Sequence, residues 1–526
     1  MTTMRITEKR FLADDEKILF YLILIINIAY LFYSRFFPTM DGPAHLYNAN
    51  LIKHLLLGND FIKEFYQINS FPVPNWTSHF MLTLYRLFLP GWLSEKLLII
   101  SYVSGMALSF RYMVKAINPE NISLSVFIFP FIYSFLFHLG FYNYAISFIF
   151  MFLTLGIWIK HYNDNQSSMY LITGALLICT YFSNILTYAF AGITIGSIIF
   201  MFEAATHPIF SKQYLQSCLK RILSLTLCSL PSLILFVWFF QTASFPATLQ
   251  RYASSELLKW TTDVRSLIVF SYEKEEIITE QFFHILLILL ILSFIFNRNR
   301  LNLKEKFATP QRMIAYFPLV LSIVFLFALP DGSSAGMMSD RLSLLMYIFF
   351  IILIISQPLP NKIKIIFSVL FISLHIILLT KHSPILHELN ANAKTINETA
   401  SHIPDNSIVL PVNLSENWLH PHFSNYLGID KPMVILENYE VTIPWFPLQW
   451  NSNVPSIVLG DHKQLDEVTW FQSNNMKTQQ IDYIFLYGNT SKIEEPMWKG
   501  LKEVITSHFT LEYESENKFV RLYKVK

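Results

Sequence analysis

A polytopic α-helical membrane protein with a C-terminal extracytoplasmic α/β domain is the fold class this chain predicts, and three observations predict it. Of its 526 residues, 53% are hydrophobic and only 14% charged, and the mean hydropathy is +0.41, outside the range of water-soluble domains. Apolar runs of about 17–22 residues recur from Ile18 to Thr380, each long enough to cross roughly 30 Å of hydrocarbon as a helix. From about Ser383 the pattern changes to short apolar strands, turn residues and a polar helix, as in a soluble α/β fold.

The first span follows a segment that carries Arg5, Lys9, Arg10 and Lys17. These charges suit a signal anchor, but no small-residue cleavage site follows the apolar run, so it is expected to remain as a helix. Eleven spans are predicted in all, at about 18–37, 92–110, 122–138, 142–159, 169–186, 188–205, 222–241, 282–296, 313–329, 343–357 and 363–380. Connectors holding Arg111/Lys115, Lys212/Lys220/Arg221, Arg298/Arg300/Lys304/Lys306/Arg312 and Lys362/Lys364 all fall on the side of the N-terminus. Short cytoplasmic loops are enriched in Lys and Arg, so the N-terminus is expected inside and the tail outside. The expected domains are 1–380, with a first outer loop at 38–91, and 381–526.

That first loop opens with Pro38-Thr-Met-Asp-Gly-Pro-Ala-His-Leu-Tyr47, which crowds an acid, a glycine and a histidine at the mouth of a span. In Ala44–Leu57, Tyr47, Leu51 and Leu55 recur at helical spacing beside Asn48, Asn50 and Lys53, the pattern of a helix lying in the membrane interface. Phe71-Pro-Val-Pro-Asn-Trp76 should form a rigid bend before a second helix at about 78–89. In the tail, a helix is expected at about 384–402, with strands at about 407–412, 433–436, 482–487, 510–515 and 518–524.

A net charge of +2 gives no reason to expect a nucleic-acid partner. Cys179 and Cys228 lie in apolar runs and Cys218 in a connector, so neither a disulfide framework nor a zinc knuckle can be assembled.

On this architecture, Met40-Asp-Gly-Pro-Ala-His45, Pro74-Asn-Trp76 with His79, Leu139-Gly-Phe-Tyr-Asn-Tyr144 and Asp340-Arg-Leu342 resemble motifs of the GT-C superfamily of integral membrane glycosyltransferases, in a poorly characterised bacterial branch. The resemblance implies a multi-pass protein of the bacterial inner membrane. It further implies a sugar donor carried on polyprenyl phosphate, an extracytoplasmic lipid, glycan or protein acceptor, and catalysis by an acidic residue of the first loop. Many members place two acidic residues together, whereas here Gly42 follows Asp41. A second carboxylate would have to come from Asp263, Glu273, Asp331 or Asp340. The cofactor stays open: a divalent cation is compatible with the sequence but not implied, and no residue is assigned as a metal ligand.

Asp41 is the candidate catalytic base, since inverting transfer needs a group to take the acceptor's proton; the bland alternative is that Asp41-Gly42-Pro43 starts a helix. His45, four residues on, could bind phosphate or orient Asp41. Arg341, entering the tenth span from outside, could bind the leaving phosphate, with Asp340 beside it a further substrate-binding candidate; alternatively Arg341 snorkels to the headgroups or pairs with Asp340. Arg251, Lys259 and Arg265 are weaker candidates for the same role. His79, His138, Asn143 and Asn184 lie at outer ends of spans and could hydrogen-bond a sugar, or close interhelical contacts. Trp418, His420, His422, Trp445 and Trp450 could form a saccharide platform or simply a core with its rim. The rival functions are a transporter or flippase of lipid-linked saccharides, which should show polar residues near mid-span, and a non-catalytic scaffold of the same fold.

Overall fold

The computed structural model describes residues 2–164, 166–242, 250–298, 310–332, 336–451 and 481–526. The chain forms two compact units. The first comprises Met1–Tyr30, Ser101–His138 and Asn143–Ser383, and the second Leu31–Ile100, Leu139–Tyr142 and Pro384–Lys526. Residues 31–100, grouped by sequence with the spans, thus cluster with the tail.

The first unit is helical. Among the described residues, eight helices are long and apolar enough to cross a membrane, from Gly91–Ile117 to the last, which begins at Asn361. Two shorter apolar stretches, Pro119–Ile132 and Ser167–Ser183, and the helix α1 (Thr2–Leu31) occupy the remaining predicted spans. Helices satisfy their own backbone groups, which is what hydrocarbon demands. Met338–Ser356 is the buried centre, with aliphatic and aromatic side chains packed on nearly every side.

Three boundaries differ from expectation. The third span is not one helix but a 3-10 segment, Pro119–Ile128, followed by Phe129–Ile132 and Phe135–His138. Pro130 cannot donate to a preceding turn, and the chain leaves helical geometry at Tyr133 (φ −97°, ψ 45°) before Ser134 Oγ caps Phe137 N at 3.3 Å. The helix α1 ends at Leu31 rather than near 37. The last span and the polar helix expected at about 384–402 are one element, Asn361–Thr399, running through Pro384. Of the basic connector before the ninth span, Arg300, Lys304 and Lys306 lie outside the described residues.

The second unit contains α2 (Gly42–Leu56), α3 (Asp60–Phe65) and α4 (Thr77–Arg86). The helix α2 is not an interfacial helix, because everything from Gly42 to Ile52 is buried. Its polar residues hydrogen-bond the tail: Tyr47 Oη donates to Met433 O (2.8 Å) and Asn50 Nδ2 to Gly428 O (2.8 Å). Two strands pair antiparallel across the unit, β1 (Tyr66–Ile68) with a strand at Leu448–Trp450.

Numbered in chain order, the tail strands are β2 (Ile408–Leu414), β3 (Val434–Ile435), β4 (Leu448–Trp450), β5 (Tyr483–Gly488), β6 (Phe509–Glu514) and β7 (Val520–Val525). All but β4 form one sheet in the order β3-β2-β5-β7-β6, with β3, β2 and β5 parallel and β7 and β6 antiparallel. The five strands expected in the tail are these five. The pair β1/β4 escapes sequence reading because three residues are too few to show alternation.

Candidate functional site

The site in the second unit is assembled where the stretch 38–45 meets 139–142. Thr39 Oγ1 accepts from Gly42 N (3.1 Å) and meets the Tyr142 hydroxyl at 2.9 Å. Asp41 N donates to Leu139 O (3.1 Å). Two glycines permit this approach. A Cβ on Gly42 would lie 2.4 Å from Thr39 Oγ1, and one on Gly140, whose φ is +88°, would lie 2.7 Å from Asp41 N. Gly42 is therefore needed for packing against its own chain.

Asp41 stands at the N-cap of α2, but its side chain makes no capping hydrogen bond. Asp41-Gly42-Pro43 does start the helix, as the bland reading has it, with Pro43 in the first turn, but the side-chain bond to Gly42 N comes from Thr39 and leaves the Asp41 carboxylate unused by the helix. The Asp41 carboxylate is buried and accepts a hydrogen bond from the Tyr439 hydroxyl, while its Oδ1 accepts none from the described residues. His422 Nε2 lies 3.6 Å from Oδ1. The His422 ring is fixed on both sides, since Nδ1 meets Glu437 Oε1 at 2.7 Å and the ring stacks on Tyr439 at 4.3 Å between centroids. Ser424 Oγ and Asn425 Nδ2 donate to Glu437 Oε2 at 3.1 and 2.9 Å. Burial opposes charge on His422, but Glu437 and Asp41 outweigh it and raise its pKa to about 9. Burial likewise pushes the Asp41 carboxyl above its ordinary value, with His422 and His45 holding it back.

One turn along α2, His45 Nε2 lies 2.9 Å from Gly140 O and so carries a proton, because a carbonyl oxygen can only accept. Its Nδ1 faces Glu440 Oε1 at 2.7 Å. Two acceptors on the two ring nitrogens call for the imidazolium, and Glu440 raises the His45 pKa against the cost of burial. His79 Nε2, from α4, meets Glu440 Oε2 at 2.7 Å, and Asn48 Nδ2 donates to the same oxygen at 2.7 Å. Burial opposes charge on Glu440, but the two histidines hold its carboxyl well below the usual range.

The ligand atoms of His45, His79 and Glu440 lie within 4.8 Å of one another and are all buried. Two imidazoles and a carboxylate are a donor set that zinc-like divalent ions accept. The bond from His45 Nε2–H to Gly140 O is the kind of contact that orients a metal-bound imidazole. An ion here would replace the proton on His45 Nδ1 and the one shared between His79 and Glu440.

No protein-family model matches this chain, and no curated protein does. Among solved structures, ArnT from Cupriavidus metallidurans bound to undecaprenyl phosphate aligns over 96% of this chain and 97% of its own, with TM-score 0.55 and 10% identity. The chain has the fold of ArnT. The apo form of ArnT from Cupriavidus metallidurans aligns over 97% and 98% of the two chains at TM-score 0.45 and 11% identity. At 10% identity the likeness is one of fold, a multi-pass helical chain of the same architecture.

Of the residues singled out by sequence, Asp41, His45 and His79 meet in the ArnT-like chain's second unit. Arg341, Asp340 and Asn143 belong to the first. The Asp340 carboxylate faces Arg265 Nε at 3.6 Å and is also within electrostatic reach of Arg341. The Arg341 guanidinium lies over the Tyr144 ring at 5.7 Å, and the Tyr144 hydroxyl donates to Arg341 O at 2.7 Å. Arg265 stacks on Phe135 at 3.7 Å and borders a pocket of about 390 Å³ with Lys259, Trp260 and Tyr272. Asn184 is instead the N-cap of the helix Ile185–Thr206, its Oδ1 accepting from Leu186 N and Thr187 N. The His138 ring packs on Phe270 at 5.3 Å. Trp450 stacks on Tyr66 at 4.6 Å, part of the strand pair's packing.

Sequence reasoning missed Glu437, Tyr439 and Glu440 and left His422 among generic aromatics. The one available signal was Glu437-Asn-Tyr-Glu440, four polar or amphipathic residues directly after a buried strand in a parallel sheet, where sites collect.

Proposed function

We propose that this chain is a membrane glycosyltransferase that moves a sugar from a polyprenyl-phosphate donor to an extracytoplasmic acceptor. The observation that carries the reading is Asp41, a buried N-cap residue whose carboxylate makes no capping bond, has an oxygen accepting no hydrogen bond from the described residues, and sits 3.6 Å from a histidine. A carboxylate kept in this state serves a reacting proton better than it serves packing. The undecaprenyl phosphate bound to ArnT supports a donor of that class.

In the reaction, Asp41 takes the proton of the acceptor hydroxyl as its oxygen bonds to the anomeric carbon. The bond from that carbon to the phosphate oxygen breaks with inversion, and polyprenyl phosphate departs with the electron pair. The departing charge needs a cation, for which the second unit offers the His45 imidazolium. A divalent ion held by His45, His79 and Glu440 would add positive charge beside the reacting groups.

The test is turnover of a defined donor. Purified protein in nanodiscs, given undecaprenyl-phosphate-linked glucose and a second donor carrying an amino sugar, should release undecaprenyl phosphate by transfer or slow hydrolysis. No release and no binding of either donor would remove the reading.

A further inference from the structure

The tail sheet has a feature the Asp41 centre does not use. The strands β2 and β5 are parallel neighbours, in register from Val409↔Tyr483 to Leu414↔Gly488. From the end of β2 the chain turns to β3, its neighbour on one side. From the end of β5 it turns the other way, through Lys499–His508 to β6 and β7. Connections that diverge from adjacent parallel strands open a crevice outside their carboxyl ends, the place where open α/β sheets bind ligands.

A crevice of about 350 Å³ lies there, bordered by residues after β2, residues after β5 and the end of helix Asn361–Thr399. Gly488, with φ +99°, lets the two strand ends close on each other, since a Cβ there would lie 2.4 Å from Ser415 N. The lining is polar, and Glu388 adds a carboxylate to it. Asn392, Asn417 and Asn489 present amides, Ser415 a hydroxyl, and His420 an imidazole. His420 Nδ1 is bound to Ser415 Oγ at 2.7 Å, and burial lowers its pKa to about 4, so the ring stays neutral. Lys492 is neutralised by Glu416 at 2.6 Å. Phe519 supplies an aromatic surface. Amides, a hydroxyl, a neutral imidazole and the Glu388 carboxylate, which can accept from hydroxyl groups, beside a phenyl ring match a ligand rich in hydroxyls and without negative charge; phosphate or carboxylate would ask for free cations and would meet Glu388.

We propose that this crevice binds an uncharged sugar residue of the acceptor. The inference rests on the proposed glycosyl transfer for the word acceptor, but the binding site stands on its own geometry. It is also joined to the Asp41 centre by chain, because His420 lines the crevice and His422 faces Asp41. The turn between them is fixed by the Tyr487 hydroxyl at 3.0 Å from both His420 O and Pro421 O.

The full-length protein in detergent, mixed with the methyl glycosides of glucose, galactose, rhamnose and N-acetylglucosamine, should give saturation-transfer NMR signals for at least one of them, and none for methyl phosphate. Asn489→Ala should weaken that binding about fivefold, the worth of one hydrogen bond. Asn489→Trp, which fills the crevice, should abolish it with an unchanged unfolding temperature. Asp41→Asn should bind the glycoside as the wild type does. No signal from any glycoside, or binding that survives Asn489→Trp in a folded protein, overturns the site. If donor turnover is absent but glycoside binding is lost in Asn489→Trp, the crevice stands and the transferase reading falls.

Discussion

Asp41 and its neighbours form a chain of alternating charge, Glu437, His422, Asp41, His45 and Glu440, in which every member is largely buried. Such a network is costly unless each charge is matched, so its members should fail individually in distinct ways. Folding raises the His422 pKa from 6.5 to about 9. A group raised in this way contributes stability that is fully present below the unfolded value near pH 6.5 and is lost as pH rises through about 9. The unfolding temperature of the wild type should therefore fall between pH 7 and 9.5 by a few degrees, on the order of 1–3 kcal/mol. The His422→Gln protein, less stable at pH 7, should show a flatter profile over that window; parallel profiles in a thermal-shift series would refute the assignment.

His45, His79 and Glu440 make a second residue-scale prediction. Protein purified without chelators should carry about one divalent ion per chain by plasma mass spectrometry, and His79→Ala should lose it. Equal, negligible content in both would leave these residues as an ion-paired cluster only. At this scale the sequence shows half of the site. Asp41, His45 and His79 stand out because polar residues at the mouth of a span are conspicuous. Glu440 binds His79 across 361 positions, and no local pattern reveals such a partner.

At the scale of elements, the tight crossing of 38–42 with 139–142 is what places Asp41. Ala at position 140 would have to hold φ near +88° and put its Cβ 2.7 Å from Asp41 N, a cost of roughly 1–3 kcal/mol for the strained backbone alone. Gly140→Ala should lower the unfolding temperature and reduce turnover about tenfold or more while retaining part of donor binding, as measured by calorimetry and donor titration. Wild-type stability and rate in that variant would mean that the crossing does not position the carboxylate.

Element types were legible where periodicity is strong: the apolar runs, and the five strands of the tail sheet. Two features were not. Amphipathic spacing in α2 predicts a helix with a wet face, yet Asn48 and Asn50 are fully buried because their amides satisfy tail groups that no window of the sequence contains. The break at Tyr133 was masked by continuous hydrophobicity, which measures transfer into lipid and is blind to helix geometry.

For the whole molecule, hydropathy and a few short motifs sufficed for the fold class, because hydrocarbon leaves helices as the only economical solution for such runs. The division into units was less legible, since it depends on which loop packs with which domain. The orientation expected from the basic connectors makes its own prediction. A reporter fused after residue 360 should report the cytoplasm and one fused after residue 526 the exterior. The same side for both would contradict the arrangement in which Asp41 faces an extracytoplasmic acceptor.

The central claim is that Asp41 takes a proton during sugar transfer, and one comparison tests it most directly. Asp41→Asn keeps the shape of the side chain and removes its basicity, so in nanodiscs with an undecaprenyl-phosphate-linked sugar its turnover should fall about 10²-fold or more. Donor affinity, measured on the same preparation, should stay within a few fold of the wild type. An Asp41→Asn protein that folds, binds donor and turns it over at the wild-type rate would contradict the account.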